Sequence, residues 1–266
     1  MKRNILLIIS ALAVSAFATD NNAINEARTA ALGSASVALI SADNPGANSM
    51  SPENNISVNY ANPFGVQELS TVAGHLFFAN KLLDAGLVVS SFGYEKYNET
   101  RLAANFSKKL SSRLSMGVRL NYYSLLMSVT EDRKSMMSAD VGFLVKPLSN
   151  LFIGFAAEHF IRTAYTTARG EFELPLTLRV GANYQVSTDF LMVGEVEKDV
   201  IDDTLLKIGC EYTPLKEAAL RVGLMNNPFR PTFGVGYCPG RFVFDVASVY
   251  HTVLGFHTQF SMGYKF

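Results

Sequence analysis

The chain has 266 residues, with 23 basic and 23 acidic side chains and no net charge. That balance removes any electrostatic case for nucleic acid or an anionic membrane surface as partner. Apolar residues make up 48% of the chain, yet beyond the N-terminus no run of about twenty occurs, so transmembrane helices are excluded.

At the N-terminus, Lys2 and Arg3 precede the apolar run Ile5 to Val14, and Ala16-Phe17-Ala18 has the small-x-small form of a cleavage site. This predicts an exported protein with a signal peptide over 1–18 and a mature chain starting at Thr19. The apolar run is short for a membrane anchor, and no basic stop-transfer cluster follows it. Residues 19–54 are rich in Ala, Asn and Ser and lack aromatic alternation. They are expected to form one short helix or a compact segment punctuated by Gly and Asn.

From Ile56 onward the hydrophobic period is two. Leu114, Met116, Val118, Leu120 and Tyr122 alternate with Ser115, Gly117, Arg119 and Asn121; Leu176, Leu178, Val180, Ala182 and Tyr184 alternate with Thr177, Arg179, Gly181 and Asn183. About fourteen such segments are predicted. The first seven fall near 55–61, 69–79, 83–92, 97–108, 113–128, 135–146 and 150–160. The rest fall near 172–185, 189–199, 203–213, 217–226, 231–238, 241–251 and 256–266. Each has about the length of a tilted strand crossing a bilayer. Connectors after even-numbered segments are tight, such as KPLSN and QVSTD; several after odd-numbered ones are longer, such as IRTAYTTARGE. The fold expected is all-β: an antiparallel transmembrane β-barrel over 55–266, with residues 19–54 as a short N-terminal plug.

A soluble β-sandwich also alternates, but its wet face should carry Lys, Glu and Thr throughout. Here the polar face carries Gly and charges of both signs, and the apolar face often ends in Tyr or Phe, the pattern of an interfacial girdle. The last residues, FHTQFSMGYKF, alternate up to Phe266. They read as a closing strand that pairs near Ile56, because an open edge cannot persist in hydrocarbon.

With the apolar face toward lipid, Arg101, Arg119, Arg179, Lys207, Arg221 and Lys265 face the lumen, together with Asp140, Glu158, Glu195, Glu197, Glu211 and Asp245. A selective pore usually carries a ring of one sign. This mixed set reads instead as cross-strand ion pairs that satisfy one another. His75, His159, His251 and His257 lie on different strands without ligand spacing, so neither a metal nor another cofactor is expected. Cys210 and Cys238 are too few for a disulfide scaffold and point to opposite faces. No catalytic motif is present, and Ser248 and His251 share a strand but point oppositely, so the chain is read as non-enzymatic.

Ala27-Arg28-Thr29-Ala30-Ala31-Leu32-Gly33-Ser34-Ala35-Ser36-Val37-Ala38 resembles the opening of FadL-like outer-membrane barrels, with Met50-Ser51-Pro52-Glu53-Asn54 where a turn leads into the first strand. Leu174 to Gly181 and Val193 to Asp199 resemble the PorV/PorQ branch of that superfamily. The resemblance implies a fourteen-stranded outer-membrane barrel with its N-terminal segment tucked inside. It also implies insertion guided by a C-terminal signal, here Phe260, Met262, Tyr264 and Phe266. The PorV/PorQ branch implies a component of type IX protein secretion or surface attachment; the FadL branch implies, as the alternative, passive transport of small hydrophobic compounds. The expected partners are outer-membrane lipid, the barrel-insertion machinery, and secretion-system proteins or hydrophobic small molecules.

Overall fold

The computed structural model describes residues 26–266 except positions 52, 128–131, 164, 168–169, 173 and 201–202. The expected signal peptide over 1–18, its expected cleavage site and residues 19–25 lie outside the described residues. Fourteen strands close into one antiparallel barrel. The first seven are β1 (Asn55–Pro63), β2 (Thr71–Phe78), β3 (Asp84–Tyr94), β4 (Tyr97–Ser111), β5 (Leu114–Met127), β6 (Asp132–Leu148) and β7 (Leu151–Arg162). After a short hairpin, β8 (Tyr165–Thr167) and β9 (Gly170–Phe172), come β10 (Thr177–Gln185), β11 (Phe190–Asp199) and β12 (Leu205–Leu215). The barrel ends with β13 (Ala218–Met225), β14 (Arg230–Tyr237), β15 (Phe242–His251) and β16 (Gly255–Lys265). Among the described residues no helix is long and apolar enough to cross a membrane.

The alternation sets the two faces in an inside-out order. Ile56 and Val58 are 45% and 50% exposed, whereas Ser57 and Asn59 on the other face are 8% and 6% exposed. A soluble sandwich would bury the first pair and wet the second; a barrel in hydrocarbon requires what is seen. The seam closes between β1 and β16, from Asn55 opposite Lys265 to Pro63 opposite His257. It leaves no unpaired edge, which is the condition for a sheet in lipid.

All fourteen predicted segments correspond to barrel strands, with two departures around β7. The segment expected from 172 starts at Thr177, and the connector before it, 163–176, carries the β8–β9 hairpin. Within the β6–β7 ladder, Ala139 faces Ile161 and Val141 faces Ala157, so Glu158, His159 and Phe160 stand opposite Asp140 alone. His159 takes a left-handed φ of 55° there, and its N–H donates to the Asp140 carboxylate at 2.8 Å. This bulge places both Glu158 and His159 inward, which strict alternation cannot do. Connectors at the end where β1 starts and β16 finishes are tight, as at 112–113 and 149–150. At the opposite end 64–70 and 163–176 are longer, whereas 95–96 is equally tight.

Candidate functional site

Strands β4 to β15 bring most of the predicted lumenal charges into linked pairs. Arg101 donates to Asn121 Oδ1 at 2.8 Å, and Asn121 donates to Asp140 at 2.9 Å. Arg119 Nε meets Asp140 at 2.9 Å. Arg179 bridges Glu158 and Glu195 at 2.9 and 2.8 Å, and Lys207 joins Glu195 at 3.0 Å and Glu197 at 2.5 Å. Farther round, Arg221 meets Glu211 and Asp245, each at 2.5 Å. The registers make these contacts local, since Arg119 lies opposite Asp140, Glu195 opposite Lys207 and Glu211 opposite Arg221. Lys265 stands apart from this network. It pairs with Glu53 at 3.2 Å near the barrel end, where both side chains are about half exposed.

The same charges hold residues 26–51 inside the barrel, a role that pairing arguments from sequence did not reveal. Glu195 Oε2 accepts the backbone N–H of Ser36 at 2.7 Å and of Val37 at 2.8 Å. Arg119 donates to the carbonyls of Ala42 and Asp43, at 2.7 and 3.1 Å. Glu211 accepts two hydrogen bonds from Arg28, at 2.9 and 2.8 Å. Charge-assisted bonds of this kind are about twice as strong as neutral ones. The segment starts with helix α1 (Ala27–Ala31), buried against β14 and β15, and reaches β4 through a turn at Asn48–Met50.

Its path follows inward-facing glycines. A Cβ at Gly209 or Gly223 would meet the backbone at Leu32 and Gly33, one at Gly154 the backbone of Val37, and one at Gly117 that of Pro45. These glycines form a groove in which backbone lies on backbone. Gly33 itself has φ 68° and lies too close to the Ile208 carbonyl for any side chain. A tight turn falls at Asn44-Pro45-Gly46. Asn44 donates to the Val37 and Phe143 carbonyls, at 2.6 and 3.0 Å, and accepts from Gly46 N–H at 2.9 Å. The signal in the sequence was the glycine on the inward face of successive strands.

The remaining wall, β16 with β1 to β3, differs in kind. Between Asp84 and Lys265 at its ends, its inward residues include no Asp, Glu, Lys or Arg, but Ser57, Asn59, Ala73, His75, Val88, Ser90 and Gln259. At inward Gly86 and Gly263 the atoms nearest a Cβ position belong to neighbouring strands, not to the inner segment. The segment reaches this wall at its start, where Ala27 N–H donates to Ser261 Oγ at 3.1 Å and Glu26 comes within 3.8 Å of His75 Nδ1.

On the outer face Phe260, Met262 and Phe266 are exposed, and Tyr264 is partly covered by rings. Tyr264 stacks on Phe266 at 6.3 Å and packs with Phe242 at 5.0 Å, and Phe266 meets Phe78 edge-on at 5.9 Å. His75, His159, His251 and His257 stand on β2, β7, β15 and β16, and no group of metal-ligating residues is found among the described residues.

No family model and no curated protein matches the sequence. Solved structures do match in shape. The toluene transporter TodX of Pseudomonas putida aligns with a TM-score of 0.65 at 13% identity, over 91% of this chain and 97% of that one. A FadL homologue of Pseudomonas aeruginosa aligns at 0.63 and 11% identity, over 91% and 98%. The Acinetobacter baumannii outer membrane protein Omp33 aligns at 0.52 and 9% identity, over 80% and 97%. What this chain shares with them is the fold, a closed antiparallel barrel of fourteen strands in its own case.

Proposed function

We propose that the chain is an outer-membrane channel that passes small hydrophobic compounds passively. The observation that carries this reading is the asymmetry of the lumen. The inner segment is fastened by charge to one arc of the wall, and the wall of β1 to β3 is uncharged apart from Asp84 at its end and lies off the glycine groove. A small apolar molecule crosses along that wall by parting the contacts of Glu26 and Ala27 with His75 and Ser261, while the ion pairs from Arg28 onward stay in place. The fold likeness to TodX and the FadL homologue supports this reading. In it the chain is exported by residues 1–18, and Phe260, Met262, Tyr264 and Phe266 are what the insertion machinery reads.

The PorV/PorQ reading rests on Leu174–Gly181 and Val193–Asp199. Those stretches lead into β10 and lie in β11, and Arg179, Glu195 and Glu197 face inward, toward the segment or one another. Lys198, at the end of β11, is the one exposed charge in them, a small surface for a secreted partner. The test is a deletion strain assayed for uptake of radiolabelled toluene and for attachment of secreted proteins. Uptake should fall and recover on complementation while attachment stays normal; lost attachment with normal uptake would return the chain to a secretion role.

A further inference from the structure

We propose that Ser57, Asn59 and His75 form a binding station for the hydroxyl or carbonyl group of an otherwise apolar, uncharged molecule. This deepens the channel reading and rests on it. Ser57 stands directly opposite His75 in the β1–β2 ladder, and Asn59 follows on the same inward face, opposite Ala73. All three are more than nine-tenths buried. Among the described residues Ser57 Oγ, both amide atoms of Asn59 and both ring nitrogens of His75 make no hydrogen bond within normal distance, with the Glu26 carboxylate close to Ser57 and 3.8 Å from His75 Nδ1.

Single unpaired atoms occur elsewhere in this lumen, as at Asn105 Oδ1 and Ser107 Oγ, but an asparagine and a histidine at the charged arc are satisfied at both ends of their side chains. Asn44 engages two carbonyls and an N–H; the His159 ring contacts Tyr123 Oη at 3.1 Å and the Pro175 carbonyl at 3.0 Å. Buried donors and acceptors left without partners destabilise a fold, so a molecule supplying the matching group gains what the wall lacks. An amide and an imidazole both donate and accept, which suits a hydroxyl best and a carbonyl next. Val88, opposite His75, with Ala73 and Phe77 beside it, offers an apolar surface for the rest of the molecule. A carboxylate head is disfavoured, because no Arg or Lys lies on this part of the wall and Glu26 approaches His75 to 3.8 Å.

The experiment uses the deletion strain complemented with the full chain, Asn59→Leu or His75→Leu, and measures uptake of radiolabelled benzyl alcohol and toluene. Each variant should lower benzyl alcohol uptake about fivefold, the worth of one net hydrogen bond, and leave toluene uptake unchanged. Neither should unfold at a lower temperature than the parent, since the replaced atoms had no partners. If either variant does not reach the folded, fast-migrating form on unheated gels, Ser57→Ala is read in its place, with the same selective loss expected. Toluene uptake with benzyl alcohol uptake indifferent to the substitutions would overturn the station and leave the channel standing. An equal loss of both compounds would also overturn the station. If the parent carries neither compound, the channel reading itself falls and takes the station with it.

Discussion

From β4 to β15 the lumenal wall meets the inner segment through carboxylates, guanidinium groups and glycines, whereas from β16 through β3 it presents neutral side chains with atoms left unpaired. Both arcs have the same backbone, the same alternation and the same outward apolar face. The difference shows that in a barrel whose outer face is dictated by lipid, specificity is written on the inner face alone. One arc spends its charged groups on holding a segment; the other keeps whole polar side chains such as Asn59 unsatisfied, where a passing molecule can use them.

The largest expected effect comes from breaking the charged arc at its centre. Arg179→Ala leaves Glu158 and Glu195 buried without their main counter-charge, and removing one partner of a buried pair costs about 3–5 kcal/mol. Denaturant unfolding followed by gel mobility should show that loss, together with new protease sensitivity in residues 26–51. Next is the groove: Gly154→Val forces a side chain into the backbone of Val37 and should cost about 1–3 kcal/mol, the range for overpacking. The matching change on the neutral wall, Gly263→Ala, meets its neighbours at 3.6 to 3.7 Å. It should stay within about 0.5 kcal/mol of the parent in the same assay; a cost equal to that at Gly154 would erase the distinction between the arcs. At the small end, Lys265→Ala removes an exposed pair with Glu53 and should change stability by less than about 1 kcal/mol.

Much of the barrel was legible because lipid imposes period two on every strand, as in Leu114 to Tyr122. Parity gave the facing of Arg179 and Glu195 correctly, but it carries no information about depth. Lys265 therefore read as lumenal, although it lies at the exposed barrel end. The β8–β9 hairpin has three-residue strands, too short to establish a period. The bulge at Glu158 to Phe160 breaks the rule by which it would have to be found. The course of residues 26–51 depends on contacts between distant positions, such as Ala27 with Ser261, and no local pattern encodes them. For the neutral wall, His75 and Asn59 were visible only as polar residues on separate strands; what matters is that their side chains make no hydrogen bond among the described residues.

The course of the inner segment also bears on the order of assembly. Its contacts run from β4 to β16, so they include both early strands of the chain and the last one. Ala27 meets a partner in β16, the strand that zips against β1 to shut the seam. With Glu26 reaching His75 on β2 and Ala27 reaching β16, the segment bridges the seam, and its fit is complete only in the closed sheet. A molecule released into the membrane as a sealed cylinder leaves with its interior already furnished.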